Sequence, residues 1–143
     1  MGDGNARAAL SEQVEKLGLS DKVEFLGRIP REKTAPLYQE ADVFVLPSLN
    51  EGMSNAMLEA LATGLPILAT DTGGAKEIVA EGQNGCIIRM KSAEDIAKKL
   101  EKLIKNPELR KKMSEDSRRR ALEMSWEKVA EEYYNLYKSA VKN

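Results

Sequence analysis

The segment Glu51-Gly52-Met53-Ser54-Asn55-Ala56-Met57-Leu58-Glu59-Ala60-Leu61-Ala62-Thr63-Gly64-Leu65-Pro66 admits few readings. Met57, Leu58, Leu61, Ala62 and Leu65 recur at helical spacing, which predicts an amphipathic helix over residues 55–63. Ser54 and Asn55 are residues that cap helix starts, and Gly64 before Pro66 is a natural stop. Asn55 and Glu59 stand at i, i+4 and share the face away from the apolar one. A helix tip presents unpaired N–H groups and a partial positive charge, a setting that attracts a diphosphate. Glu59 stands about 6 Å along the axis from Asn55, at ~1.5 Å per residue. From there a carboxylate reaches the hydroxyls of a ribose whose phosphates stay at the tip. Glu51 precedes the turn, with seven residues between the two glutamates.

Around this segment, strand-like and helix-like stretches alternate, which argues for an α/β architecture with a mostly parallel sheet. Asn5 is placed to cap a first helix running to about Gly18. Residues 23–26 read as a short strand, and Pro30 leads into a helix over 31–40. Residues 43–46 are a continuous apolar strand of the kind covered on both faces. After the motif helix come a strand at 67–69, a helix at 74–80 and a strand at 86–88. The expected fold is Rossmann-like, with about four strands flanked by helices and a helical C-terminal segment. That segment holds a helix capped by Ser92, then helices over 107–124 and 126–141. Trp126, Tyr133, Tyr134 and Tyr137 fall at helical spacing and are expected to dock the last helix. Cys86 is expected in the core.

Composition removes several function classes. The 143 residues suffice for one domain burying roughly 68–70% of its unfolded surface. The net charge is −1 and the pI about 5.7, so no global field draws the chain to nucleic acid. The runs Arg110-Lys111-Lys112 and Arg118-Arg119-Arg120 alternate with acids and lack interleaved aromatics, which reads as a solvated helix face. There is no histidine, so neither a zinc site nor histidine acid–base chemistry is expected. The single cysteine excludes an internal disulfide and fits a reducing, cytoplasmic compartment. No apolar run approaches the ~18 residues of a membrane span.

Five ordered pieces of the chain together resemble the donor-site signature of group 1 glycosyltransferases of the GT-B fold. They are Val23-Glu24-Phe25-Leu26-Gly27-Arg28, Ala41-Asp42-Val43-Phe44-Val45-Leu46-Pro47-Ser48, the Glu51–Pro66 segment, Ala69-Thr70-Asp71-Thr72-Gly73-Gly74, and Glu77-Ile78-Val79 with Asn84-Gly85. The resemblance implies transfer of a sugar from a nucleotide-diphosphate sugar to an acceptor hydroxyl, with no metal or other cofactor and with retention at the anomeric carbon. It implies that Glu51 is the catalytic-site carboxylate at the donor sugar and that Glu59 binds the ribose. Met53, Ser54 and Asn55 would meet the diphosphate through backbone N–H groups. Where the family more often has an aromatic then Gly, this chain has Met53 and Ser54, which bears on sugar preference. The loop Gly27, Arg28 and Ile29 would read the nucleotide base, and Ser48 would help hold phosphate or sugar. Gly73-Gly74 would form a tight turn.

By the same resemblance the residues 1–143 form a partial C-terminal donor-binding domain. Gly2-Asp3-Gly4 resembles a turn that in the family follows an apolar strand, and an N-terminal acceptor domain is also expected in the whole enzyme. A lone Gly-x-Gly falls short of the dinucleotide fingerprint. Lacking its first strands, a sheet of the order 3-2-1-4-5-6 would expose an edge, so a homodimer or an internally rearranged sheet is expected. The isolated chain is expected to be inactive. A sugar-nucleotide 2-epimerase fragment and a non-catalytic folding or binding fragment are the alternatives.

Overall fold

The computed structural model describes residues 3–141, which fall into two compact units, one ending at Leu37 and one beginning at Tyr38. Gly2, part of the expected Gly-x-Gly turn, lies outside the described residues.

In the first unit, helix α1 spans Arg7–Lys16. Its N-cap is Ala6 and carries no side-chain bond, so the expected cap by Asn5 is not formed. The backbone does the work instead, because the Arg7 N–H donates to the Gly4 carbonyl at 3.0 Å. Residues 23–26 form no strand, which corrects the sheet from about four strands to three. A strand exists only when paired, and among the described residues this unit holds no second strand. One carbonyl of the segment, that of Phe25, accepts from the Arg7 guanidinium at 3.4 Å. A 3-10 turn at Arg31–Lys33 leads into α2, Thr34–Gln39, in which the boundary between the units falls.

The second unit is built on a parallel sheet. Strands β1 (Phe44–Leu46), β2 (Ile67–Thr70) and β3 (Gly85–Ile88) are ordered 1-2-3, with Phe44 opposite Ile67 and Leu68 opposite Cys86. The period of two in a strand then sorts their side chains into two cores. Phe44, Leu46, Ile67, Ala69 and Ile87 pack with α3 (Asn55–Thr63) and α4 (Ala75–Ile78). Val43, Val45, Leu68, Cys86 and Ile88 pack with α5 (Ala93–Ile104) and α6 (Pro107–Glu123). Helices on both faces account for β strands that are continuously apolar rather than alternating. Successive steps in one direction place both crossover helices, α3 and α4, on one face, as right-handed connections require.

The arginines of the two basic runs have structural partners. Arg118 donates to the Ala62 carbonyl in the last turn of α3, and Arg120 donates to the Glu77 carbonyl in α4. Arg110 donates to the Leu103 carbonyl near the end of α5. Cationic side chains are well suited to such orphan carbonyls. Helix α7 (Trp126–Ala140) buries no residue, and Trp126 is 84% exposed. Tyr133, Tyr134 and Tyr137 are also exposed, so the expected aromatic docking of this helix is overturned. Helical spacing puts these rings on the helix, but nothing in the period ensures that another element covers them.

Candidate functional site

The loops that follow β1 and β2 leave the carboxyl ends of parallel strands, the place where open α/β sheets hold ligands. Thr70, the last residue of β2, joins the two loops, its hydroxyl donating to the Ser48 carbonyl at 2.6 Å. Ser48 in turn donates its hydroxyl to Glu51 Oε1 at 3.1 Å. Two of the expected site residues are thereby brought together, and the half-buried Glu51 carboxylate is held by a chain of bonds anchored in the sheet.

The second loop supports the first by close backbone contact. Gly73 has φ +47°, and a Cβ there would stand 2.1 Å from the Glu51 carbonyl oxygen. A Cβ on Gly74 would stand 2.9 Å from the Met53 methyl. The Gly-Gly pair is therefore a surface onto which Glu51, Gly52 and Met53 are laid.

Helix α3 begins as its sequence requires. The Ser54 hydroxyl accepts from the Met57 N–H at 3.5 Å, with Ser54 itself 8% exposed. Asn55, the first helical residue, is exposed at the tip. At the other end Gly64, with φ 83° and ψ 31°, closes the helix in the left-handed conformation. Glu59, one turn above Asn55, is half-buried. Tyr38 is 4% exposed, and burial, then the negative charge of Glu59, push its phenol up to about 12.

Gly27, Arg28 and Ile29 belong to the first unit. Gly27 is buried with φ +64°, and a Cβ there would stand 3.0 Å from Arg7 Nη1. Arg28 is exposed and Ile29 half-buried. Sequence reasoning missed Tyr38 and Thr70. Thr70 bonds a carbonyl 22 positions earlier and Tyr38 clusters with Ala60 and Leu65, and no local pattern marks such partners. Among the described residues no group of three or more Asp, Glu, His or Cys side chains is placed to hold a metal ion. No helix of the described residues is long and apolar enough to cross a membrane.

Comparison with known proteins gives the family. Residues 1–120 match the family model described as glycosyl transferases group 1. The chain is 38% identical over 130 residues to a D-inositol 3-phosphate glycosyltransferase of Corynebacterium urealyticum, covering 91% of this chain and 31% of that protein. It therefore spans about a third of the length of this curated relative. Sucrose-phosphate synthase from Thermosynechococcus elongatus superposes with a TM-score of 0.83 at 27% identity, over 97% of this chain and 35% of that one. HepE of Anabaena, solved in complex with UDP-glucose, superposes with a TM-score of 0.75 at 26% identity, over 84% of this chain and 34% of that one.

Proposed function

Because the chain belongs to the group 1 glycosyl transferases, we propose that it is the nucleotide-sugar donor-binding part of an enzyme that transfers a sugar to an acceptor hydroxyl. The observation that carries this reading is the single run from Ser48 to Glu59. It sets an oriented carboxylate, an exposed helix tip and a second carboxylate in sequence at the ends of parallel strands. The α3 tip receives the donor diphosphate through the N–H groups near Asn55, with Met53 and Ser54 forming the approach. Glu59 accepts from the ribose hydroxyls. Glu51, the group nearest the donor sugar, accepts from its hydroxyls. A neighbour solved with UDP-glucose supports a nucleotide sugar as the donor.

The chemistry is electrostatic. As the bond between sugar and diphosphate breaks, negative charge builds on the departing phosphate, and fixed N–H dipoles at a helix start stabilise it without reorganising. Glu51, held through Ser48, fixes the sugar at the other end of that bond. We take Gly27, Arg28 and Ile29 as the base-binding loop, and a separate acceptor domain as the other half of the enzyme. The single cysteine supports placing it in the cytoplasm.

Calorimetric titration of the chain with uridine, guanosine and adenosine diphosphates tests the reading. One of them is expected to bind, and to lose affinity on Glu59→Ala. Failure of all three to bind would overturn it.

A further inference from the structure

We infer that Thr70 is a positioning residue for Glu51, acting through Ser48, and that by this route the site tells a nucleotide sugar from the bare diphosphate. The inference rests on the reading of Glu51 as the acceptor at the donor sugar. It gives a role to a residue of the central strand, outside the motif.

Thr70 ends β2, the middle strand of the sheet, where it pairs with Ile88 and is 1% exposed. On its other side the ladder to β1 stops at Leu46, opposite Ala69. The next residue, Pro47, has no N–H to give to a ladder. The Thr70 hydroxyl takes over at that point, 2.6 Å from the Ser48 carbonyl and 3.4 Å from that of Leu46. A hydroxyl has one hydrogen, and the shorter contact receives it. Ser48 is thereby tied to the sheet two residues after its own strand has ended.

From Ser48 the bonds turn outward, its hydroxyl donating to Glu51 Oε1 at 3.1 Å. The main chain of Glu51 is seated by the same stretch of the β2 loop. A Cβ on Gly73 would stand 2.1 Å from the Glu51 carbonyl oxygen and 2.6 Å from that of Gly52. Residues 70–73 therefore hold Glu51 at both its backbone and its carboxylate. A loop glutamate is a rotamer-rich side chain, and ordering it on binding costs affinity. Here the order is present before any ligand arrives. A carboxylate offers about four lone-pair sites over two oxygens. Ser48 fills one of them on Oε1, which leaves Oε2 open to the hydroxyls of the transferred sugar. A bare diphosphate has no such sugar and gains nothing from the arrangement.

The test is calorimetric titration of the whole chain with uridine, guanosine and adenosine diphosphates and their glucose, mannose and N-acetylglucosamine conjugates. The two ligands compared are the conjugate that binds most tightly and its own diphosphate. Thr70→Val keeps the shape of the side chain and removes its hydroxyl. It is expected to weaken the conjugate roughly 3- to 10-fold, the cost of immobilising one rotamer-rich side chain on binding. The diphosphate should bind both proteins equally. Thr70→Ser, which keeps the hydroxyl, should bind both ligands as the wild type does. In a Glu51→Ala background Thr70→Val should have no further effect on binding, as coupled residues require.

The outcomes separate the two claims. If Glu51→Ala weakens the conjugate selectively but Thr70→Val does not, the inference falls and the reading of Glu51 stands. If Glu51→Ala has no selective effect, or no conjugate binds, both fall. Equal weakening of both ligands by Thr70→Val would assign Thr70 to general packing and overturn the inference, as would a Thr70→Ser that behaves like Thr70→Val. Should Thr70→Val not fold, Ser48→Ala decides the matter, since it cuts the same chain of bonds one link further out. Selective loss of the conjugate upholds the inference, and any other result overturns it.

Discussion

The carbonyl oxygen of Glu51 stands 2.1 Å from where a side chain on Gly73 would begin. That gap is far below any van der Waals contact, so the two loops have their present spacing only while residue 73 is glycine. Gly52, in the same loop as Glu51, has open space around its missing Cβ.

Two adjacent-looking substitutions should therefore behave differently. Gly73→Ala must strain a backbone at φ +47° and push the Glu51 loop away, costing at least ~1–3 kcal/mol and lowering donor affinity. Gly52→Ala should stay within about 0.5 kcal/mol of wild type. Urea denaturation of both variants measures the contrast, and equal midpoints would remove the contact from the account.

Glu59→Ala should weaken a bound nucleoside diphosphate more than Glu51→Ala does. Ribose is present in every nucleotide, whereas Glu51 is assigned to the sugar, which a diphosphate lacks. Loss of charged hydrogen bonds predicts roughly 1.5–3 kcal/mol for Glu59. Calorimetry gives the ranking directly, and the reverse order would exchange the two roles.

Tyr38 predicts an alkaline limit. Its burial, reinforced by Glu59, raises the phenol from the ordinary 10.0 to about 12, so the folded chain keeps this proton at a pH where the unfolded chain releases it. The corresponding stability is complete below pH 10 and is lost as pH rises toward about 12. Denaturant midpoints across that window should fall, and the fall should be shallower in Tyr38→Phe. Matching curves for the two proteins would show that the phenol does not contribute.

The chain by itself should not transfer sugar, because donor and acceptor must be held together for reaction. Purified protein incubated with radiolabelled nucleotide sugars and simple acceptors should give no labelled product. Turnover by this chain alone would show that it holds a complete site.

We expect self-association through the sheet. β1 is an edge strand of only three residues, with Phe44, Val45 and Leu46 half-buried, and unpaired edges accept strands from other chains. Sedimentation at micromolar concentration should show a dimer. A clean monomer with one cooperative unfolding step would exclude that assembly.

What the sequence revealed divides by the range of the forces involved. Helix α3 was legible from end to end, because the Ser54 cap, the apolar period and the Gly64 stop all act within a few residues. The order of strand, helix and strand from 43 to 88 followed from the same local signals. Residues 23–26 were misread because V-E-F-L has strand composition, while a strand also needs a partner. The rings of α7 were placed on the helix correctly and in the core incorrectly, since periodicity specifies a side and not its cover. Arg118 and Arg120 read as solvated charge, yet their carbonyl partners lie 56 and 43 residues earlier. For the site, Glu51 and Ser48 do meet, but the bond from Thr70 that anchors their loop could not be seen in a pattern of neighbours.

Helix α6 sets an order on how the chain matures. The three strands are complete once Ile88 has been made, but the Ala62 and Glu77 carbonyls gain their arginine donors only when residues 118 and 120 arrive. Ser117, bonded to the Leu65 carbonyl at 2.7 Å, closes the turn after α3 across 52 residues. During synthesis the helix that carries Glu59 thus emerges well before the residues that complete its last contacts. A nascent chain arrested before α6 would hold Asn55 and Glu59 on a helix whose last turn still lacks its Arg118 donor.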